Sequence, residues 1–448
     1  MQSCKTPIRN LTMIRQGETM TIALKGFEAA SPRALIPKSL SLAGETLRFN
    51  GRSYDISRGV KFIAFGKASL SLSEAFVNFL GINRIIKGIV VAPEMIHSPL
   101  LTCQDKVELI KSSHPLVSEA SVLAGEKVLK FADECAADDL VFCLISGGGS
   151  SLLASPLKGI TVEEKIKFIN DLIFHGIGER EVNIIRKALS SIKGGKLARR
   201  IHPAKIINLV LSDERNHQLE AIASGPTVPN TSGLTAGQVI ENADLWALVP
   251  ENRRETLIES AHRAVDYLEG VDINTGIIGS RDSAIIGMRE FAETLDLDSV
   301  YYVEEFFHED VDRVSVTLGK EYSTIYANAC MGKHLVLAHG EVPVKVISGG
   351  LGGRNQHLAA LMIDVLKDFK RFEFAAVASD GCDYISGCQG AIISDVVMAE
   401  IEKSGIDYQS YIEATDTFHL HNKLGTLIKG GYTGTNVSDF YILLFEKK

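Results

Sequence analysis

The 448-residue chain carries a formal net charge of −8, with 45% hydrophobic and 23% charged residues. Its length exceeds one ordinary core and calls for two domains, while the acidic balance supplies no global field for nucleic acid, so an anionic ligand must be met by locally placed Lys or Arg. Seven scattered cysteines without a CxxC pair exclude a disulfide framework and a structural zinc site; with no apolar signal core and no run of roughly eighteen apolar residues, a cytoplasmic protein is expected.

Short apolar runs alternate with amphipathic stretches through the first half. The runs are "VKFIAFG" (60–66), "IIKGIVVA" (85–92), "DLVFCLISGGG" (139–149) and "AKIINLVLSD" (204–213), and helical periodicity covers 68–80, 118–137, 161–175 and 182–199. That alternation predicts βαβ units and a mostly parallel, Rossmann-like sheet. Ligands of such sheets bind at the carboxyl ends of the strands, so the chemistry should follow the apolar runs directly. Residues 228–256 are rich in turn formers, and the helix after them ends near Gly270, which puts the domain boundary there: 1–270 and 271–448. A second set of runs follows at 273–280, 299–307, 334–340, 342–350, 372–381 and 439–448. Several are too close together for an intervening helix, so the smaller second sheet is expected to be mixed.

The loops after these runs share a character. "SGGGSS" (146–151) offers unobstructed backbone amides and the hydroxyls of Ser146, Ser150 and Ser151, with Gly147, Gly148 and Gly149 between them, at the mouth of a helix; that suits an anion. In "IAFGKASL" (63–70), Lys67 opens a helix where the dipole ordinarily favours acids, and a bound anion would account for it. "NIIRKALSSIKGGKLARR" (183–200) reads as one basic helix interrupted by Gly194 and Gly195, with Arg186 and Lys193 its candidate site residues. "LVLSDERNHQLEAIASGPT" (209–227) sets Asp213 just beyond a strand, as a base, a metal contact or a helix cap, and turns at Ser224, Gly225 and Thr227. His217 has no assigned role.

In the second half, "GGLGGRNQH" (349–357) presents Arg354, whose planar fork can grip two oxygens of a phosphate, followed by Asn355. "VASDGCDYISG" (377–387) supplies Asp380 and Asp383 as hard-oxygen ligands or a base, and "IKGGYTGTNVSDF" (428–440) adds Asn436 in a glycine loop.

Taken in order, GKA, SGGGSSLL, NIIRKALSSIKGGKLA, LVLSD, IASGPTVP, GGRNQ, SDG and TGTNVSDF resemble the type 2 glycerate kinases, whose C-terminal part is the MOFRL domain. The likeness runs from about Gly26 to Phe445. It implies a kinase that uses ATP and Mg2+ to phosphorylate the 2-hydroxyl of D-glycerate, built from two α/β domains with the active site between them. It further implies catalytic roles for Lys67 and Arg354. Beside them Asp213 is the first candidate for general base or Mg2+ contact, and Glu341 and Asp380 are further metal candidates. Glycerate, or a related small hydroxy acid, and ATP are then the partners, without nucleic acid or membrane; the sequence admits a homodimer.

Several positions depart from the family pattern. "SDERNHQL" (212–219) stands where members read SDVPGDDP, "AHGE" (338–341) where they read SGGE, His357 follows GGRNQ in place of a glutamate, and Gly387 replaces an aspartate. Losing these carboxylates would bear on metal coordination and acceptor choice. A silent sensor of a small acid or nucleotide on the same fold is one alternative. Hydroxypyruvate reductase, an older label in the family, is another, though no GxGxxG fingerprint supports it.

Overall fold

β-branched, apolar segments can be buried on both faces only in a sheet covered by helices, and the larger sheet is of that kind. In the computed structural model, which describes residues 17–93, 105–229, 233–259, 268–346 and 349–448, the chain forms two compact units. The larger comprises Glu28–Ala284 together with Tyr432–Ser438. After the helix Pro32–Ser39 it forms a small antiparallel sheet of β1 (Ser41–Ala43), β2 (Thr46–Phe49) and β3 (Arg52–Asp55). Its main sheet contains β4 (Val60–Phe65), β5 (Ile85–Pro93), β6 (Val107–Ser112), β7 (Leu140–Ser146), β8 (Lys205–Leu211) and β9 (Ile273–Gly279).

These six strands are all parallel and lie in the order β6-β5-β4-β7-β8-β9. Numbered along the chain, that is the 3-2-1-4-5-6 order of doubly wound nucleotide-binding sheets, whose direction of growth reverses between the first and fourth strands. Here the reversal falls between β4 and β7. Phe65 pairs with Ile145, and Ser146 with Leu211, so β4, β7 and β8 end nearly level. The run 273–280, grouped by sequence with the second set, supplies the edge strand β9 of this first sheet.

Alternation along β4 and β7 directs side chains to two different covers. Phe62 and Phe142 meet Phe76 of the helix Ser69–Leu80, with ring centroids 5.7 and 4.6 Å away. Ile63, Phe65, Val141 and Ile145 face the other way, into a core shared with Ala124, Val128 and Phe131 of the helix Glu119–Asp133. Capping boxes at Ser118 and Thr161 fix where the helices Glu119–Asp133 and Val162–Phe174 begin.

The basic segment 183–200 is not one helix. It forms Glu179–Ala188 and Lys196–Ile201, because Ser190 Oγ accepts from the amides of Ile192 and Lys193 and Gly194 and Gly195 take left-handed φ values of 63° and 84°. That geometry cannot continue a helix.

The smaller unit contains residues 17–27, Ile285–Gly431 and Asp439–Lys448. Its sheet consists of β10 (Ser299–Phe307), β11 (Gly332–Gly340), β12 (Phe372–Ala378), β13 (Cys388–Ser394), β14 (Leu427–Lys429) and β15 (Asp439–Lys447), ordered β10-β11-β15-β12-β13-β14. Only β10 and β11 pair in parallel; the other pairings are antiparallel. The sheet is mixed as expected, but for another reason. The run 342–350 forms no strand over its described residues; the C-terminal β15 inserts between β11 and β12, and β12 with β13 makes a hairpin. Tyr322, fully buried, donates to the carbonyl of Tyr441 at 3.2 Å across this core.

Phe142 is fully buried against Phe76. Phe142→Ala should therefore cost about 3–5 kcal/mol, read as a shift in urea unfolding; a loss below about 1 kcal/mol would show that the stack does not hold the sheet to its helix.

Candidate functional site

The carboxyl ends of β4, β7 and β8 carry Gly66-Lys67, Ser146 to Gly149 and Ser212-Asp213, in adjacent positions at the reversal of strand order. The first two turns interlock. Lys67 N–H donates to Gly147 O at 2.8 Å, and Ala68 N–H to Ser146 Oγ at 3.0 Å. Gly66 has φ 119°, and a Cβ there would collide with Ser146. At Gly147 a Cβ would collide with the Asp213 carboxylate, and at Gly148 it would come within 2.8 Å of Lys67 Cγ and 3.0 Å of His114 Nε2. The missing side chains let the Asp213 carboxylate, the Lys67 stem and the His114 ring approach one stretch of backbone, and Gly148 also takes a left-handed φ of 77°. The helix Ser69–Leu80 that follows Lys67 has no acid in its first turn and no side-chain cap, which leaves its positive end for another anion.

The other end of the glycine loop meets a different set. Ser150 Oγ lies 2.7 Å from Ser224 Oγ, and Lys193 Nζ donates to Ser150 O at 2.8 Å. Ala223, Ser224 and Gly225 have φ values of 51°, 62° and 58°, three successive left-handed residues of which two carry a Cβ. Gly194 and Gly195 amides bind the carbonyls of Ser224 and Gly225, at 3.1 and 2.8 Å, and hold that turn. Burial, reinforced by the Arg186 guanidinium, pushes the Lys193 ammonium down to about 7. Burial also lowers Lys165 well below the ordinary range, with Lys193, Lys196 and Arg186 adding to the effect; its Nζ donates to the carbonyls of Arg186 and Leu189. Thr227 is buried, and its hydroxyl has no hydrogen-bond partner.

Asp213 is held from the glycine loop 432–438. Asn436 Nδ2 donates to its Oδ2 at 2.8 Å, and Ser438 Oγ to its carbonyl at 3.2 Å. The segment after Asp213 is tied down as well: Arg281 donates to the carbonyls of Glu214 and Arg215, and His217, left unassigned by sequence, sits with Nδ1 3.0 Å from Ser212 Oγ and Nε2 3.4 Å from Asp282 Oδ2.

In the smaller unit, Asp439 lies opposite both Gly340 and Ala378 in the strand register, so Glu341, Asp380 and Asp439 gather at one sheet edge. Arg354, first residue of the helix Arg354–Val365, reaches them: Nε and a terminal nitrogen lie 2.5 and 3.1 Å from the two Asp439 oxygens, and Glu341 is 3.6 Å away. Burial works against the guanidinium charge, but Asp439 and Glu341 raise it well above the usual range. Burial raises the Asp439 carboxyl, opposed by Arg354. Arg354 keeps about a third of its side chain exposed (32%), against 3% for Asp439. Asp383 is no open ligand: its carboxylate accepts from the backbone amides of Asn355 and Gln356, at 3.0 and 2.9 Å, and from both side-chain amides, and burial pushes it up to about 6.

Among the sequence candidates, Lys67, Asp213, Ser146, Gly147, Gly148, Gly149, Ser150, Arg186, Lys193, Ser224, Gly225, Thr227 and Asn436 belong to the larger unit, and Arg354, Asn355, Glu341 and Asp380 to the smaller. Several turn out to build the site rather than face a ligand. Ser146 and Ser151 hydroxyls bind Ala68 N–H and Gly148 O, Asn355 is fully buried on Asp383, and the helix Gly149–Leu152 is a single turn with little dipole of its own. His114, Lys165 and Asp439 escaped the sequence reading. A lone histidine before a proline and a lysine on an amphipathic helix carry no motif, whereas Asp439 was visible only as a letter in TGTNVSDF. Among the described residues no group of three or more His, Cys, Asp or Glu is arranged as a metal cage.

Residues 18–258 match a family described as a domain of unknown function (DUF4147), and residues 334–439 match the MOFRL family. The chain is 30% identical to a D-glycerate 2-kinase of Thermotoga maritima, covering 86% of this chain and 90% of that protein, and 27% identical to a glycerate 2-kinase of Pyrococcus horikoshii, covering 95% and 96%. A crystal structure of glycerate kinase from Thermotoga maritima superposes with a TM-score of 0.78 at 26% identity, over 95% of this chain and 98% of that one. With one family match spanning more than half of the chain, a MOFRL match after it, and a relative 30% identical over 86% of this chain, the chain belongs to the glycerate kinase family.

Proposed function

We propose that the chain transfers the γ-phosphoryl group of ATP to the 2-hydroxyl of D-glycerate, giving 2-phosphoglycerate. The observation that carries this reading is the convergence of Lys67, the glycine loop and Asp213 at the strand-order reversal of the larger sheet. Phosphoryl transfer asks the protein mainly for positioning and for positive charge around the transferred group. Lys67 and the Gly147–Gly149 amides supply that charge and a set of donors to oxyanions, and the glycines allow close approach. Asp213, oriented by Asn436, is the base that takes the proton of the acceptor hydroxyl.

Arg354, in the smaller unit, is the guanidinium suited to phosphate oxygens. Asp439 holds its fork at a fixed orientation, so little freedom is lost when it meets phosphate oxygens. Arg186 gives the Ser150–Thr227 end of the loop its positive field, and Lys193, pushed down to about 7, adds charge there only when protonated. Asp213 in the larger unit, and Glu341 and Asp380 in the smaller, are single hard-oxygen candidates for Mg2+, which when bound would neutralise phosphate oxygens. The substitutions at 214–219, 357 and 387 leave these residues in place, which supports a working kinase rather than a silent sensor.

ADP release across a panel of small hydroxy acids, with the product identified by NMR, tests the assignment. D-glycerate should be the preferred acceptor and 2-phosphoglycerate the product; a 3-phosphate product, or hydroxypyruvate-dependent loss of NADH absorbance without ADP release, would overturn it. Lys67→Ala should lower kcat by about 100-fold or more at unchanged unfolding midpoint. Asp213→Asn should lower kcat by about 10²–10⁴ with a small effect on KM, because it removes a base and keeps the shape. Arg354→Met should do two things at once: reduce turnover and, by leaving Asp439 buried without its partner, cost about 3 kcal/mol of stability. An Arg354→Met protein of unaltered stability would show that Asp439 does not depend on it.

A further inference from the structure

His114 follows the edge strand β6 and, unlike most residues of the glycine cradle, has an exposed side chain. Its position is not that of a mobile surface residue. Ser112, buried at the end of β6, donates through Oγ to Leu152 O at 2.8 Å, and Ala154 N–H donates to Ser121 O at 3.0 Å, so the turn is fastened to the segment just beyond the glycine loop. Ser113 Oγ lies 2.9 Å from Leu116 O and 2.6 Å from Ser118 Oγ, which closes the turn on itself. Between those two braces the ring is directed at Gly148, where a Cβ would approach His114 Nε2 and Lys67 Cγ together.

Gly148 is a glycine already by its left-handed φ of 77°, and the missing Cβ also leaves room for the His114 ring beside the Lys67 stem. The two groups are complementary there: an ammonium supplies charge without fixed direction, while a ring N–H on a braced turn supplies a directed hydrogen bond to one oxygen. We infer that His114 is an oxyanion-binding group of the Lys67–Gly148 cradle, its Nε2–H donating to the same carboxylate or phosphoryl oxygens that Lys67 meets. The kinase reading contributes only the identity of the probes.

Imidazole 15N NMR on the full chain tests this, with the His114 ring signals assigned by their loss in His114→Gln. D-glycerate, a non-hydrolysable ATP analogue with Mg2+, and inorganic phosphate are titrated separately, and calorimetry on the wild type records which of them bind. The His114 ring resonances should move with whichever probe occupies the cradle: D-glycerate alone identifies the acceptor carboxylate, the ATP analogue alone identifies a nucleotide phosphate. His114→Ala should weaken that probe about tenfold and leave the other within about twofold, and His114→Gln, which keeps an N–H donor of similar reach, should recover most of the loss. Binding of the probes with unmoved His114 signals and an unchanged affinity in His114→Ala overturns the inference, as does the absence of any shift with all three. A shift with inorganic phosphate while neither D-glycerate nor the ATP analogue binds leaves the inference standing and removes the glycerate kinase reading instead.

Discussion

The interlock between the turns after β4 and β7 is the constraint on which the candidate site depends. Lys67 can stand where it does because its own amide is bonded to Gly147 and the next amide to Ser146. Those two bonds join the strands on either side of the reversal in sheet order, the place where a doubly wound sheet leaves a crevice. They also explain the glycines in physical terms. A methyl group at 147 would displace the Asp213 carboxylate and one at 149 would press on Ala223 and Phe65, while Gly148 combines a left-handed φ of 77° with close approach of Lys67 and His114.

The smaller unit solves a different problem, how to present an arginine from a helix N-terminus without letting it collapse into solvent. One carboxylate, Asp383, occupies the first amides of the helix, where the macrodipole favours negative charge. A second, Asp439, receives the guanidinium. Both are buried and both are raised by that burial, so each is costly unless its partners stay in place. Arg354, Asn355 and Gln356 supply those partners, and the consecutive "RNQ" is thus a single device: one residue to project and two to secure the cap.

The parts of this structure legible in the sequence were those with strong periodicity or strong punctuation. β4, β7 and β8 read clearly because strands buried on both faces are continuous apolar runs, and the chemistry was expected at their ends for the same reason. β6, "VELIKS", escaped because an edge strand is half polar, and with it went His114. The break in 183–200 was foreshadowed by Gly194-Gly195 but set by Ser190, whose hydroxyl competes for the amides a helix would have used. The strand expected at 342–350 failed because alternating valines say nothing about whether a neighbouring strand has a free edge, and β15 already fills the place beside β11. Ser146, Ser150 and Asn355 show the limit of reading function from polar residues in loops: the same hydroxyls and amides that could greet a ligand are consumed in holding the loop's shape.

The loop Tyr432–Ser438 belongs with the larger unit although the strand it leads into, β15, is the central partner of β11 and β12 in the smaller. The chain therefore passes from one unit to the other several times along its length, and the last passage delivers Asn436 and Ser438 to Asp213 from a point near the C-terminus. Neither unit can be released by one cut of the backbone. During synthesis, Asp213 emerges more than two hundred residues before the side chains that orient it, so the larger unit's chemistry is completed only when nearly the whole polypeptide has been made.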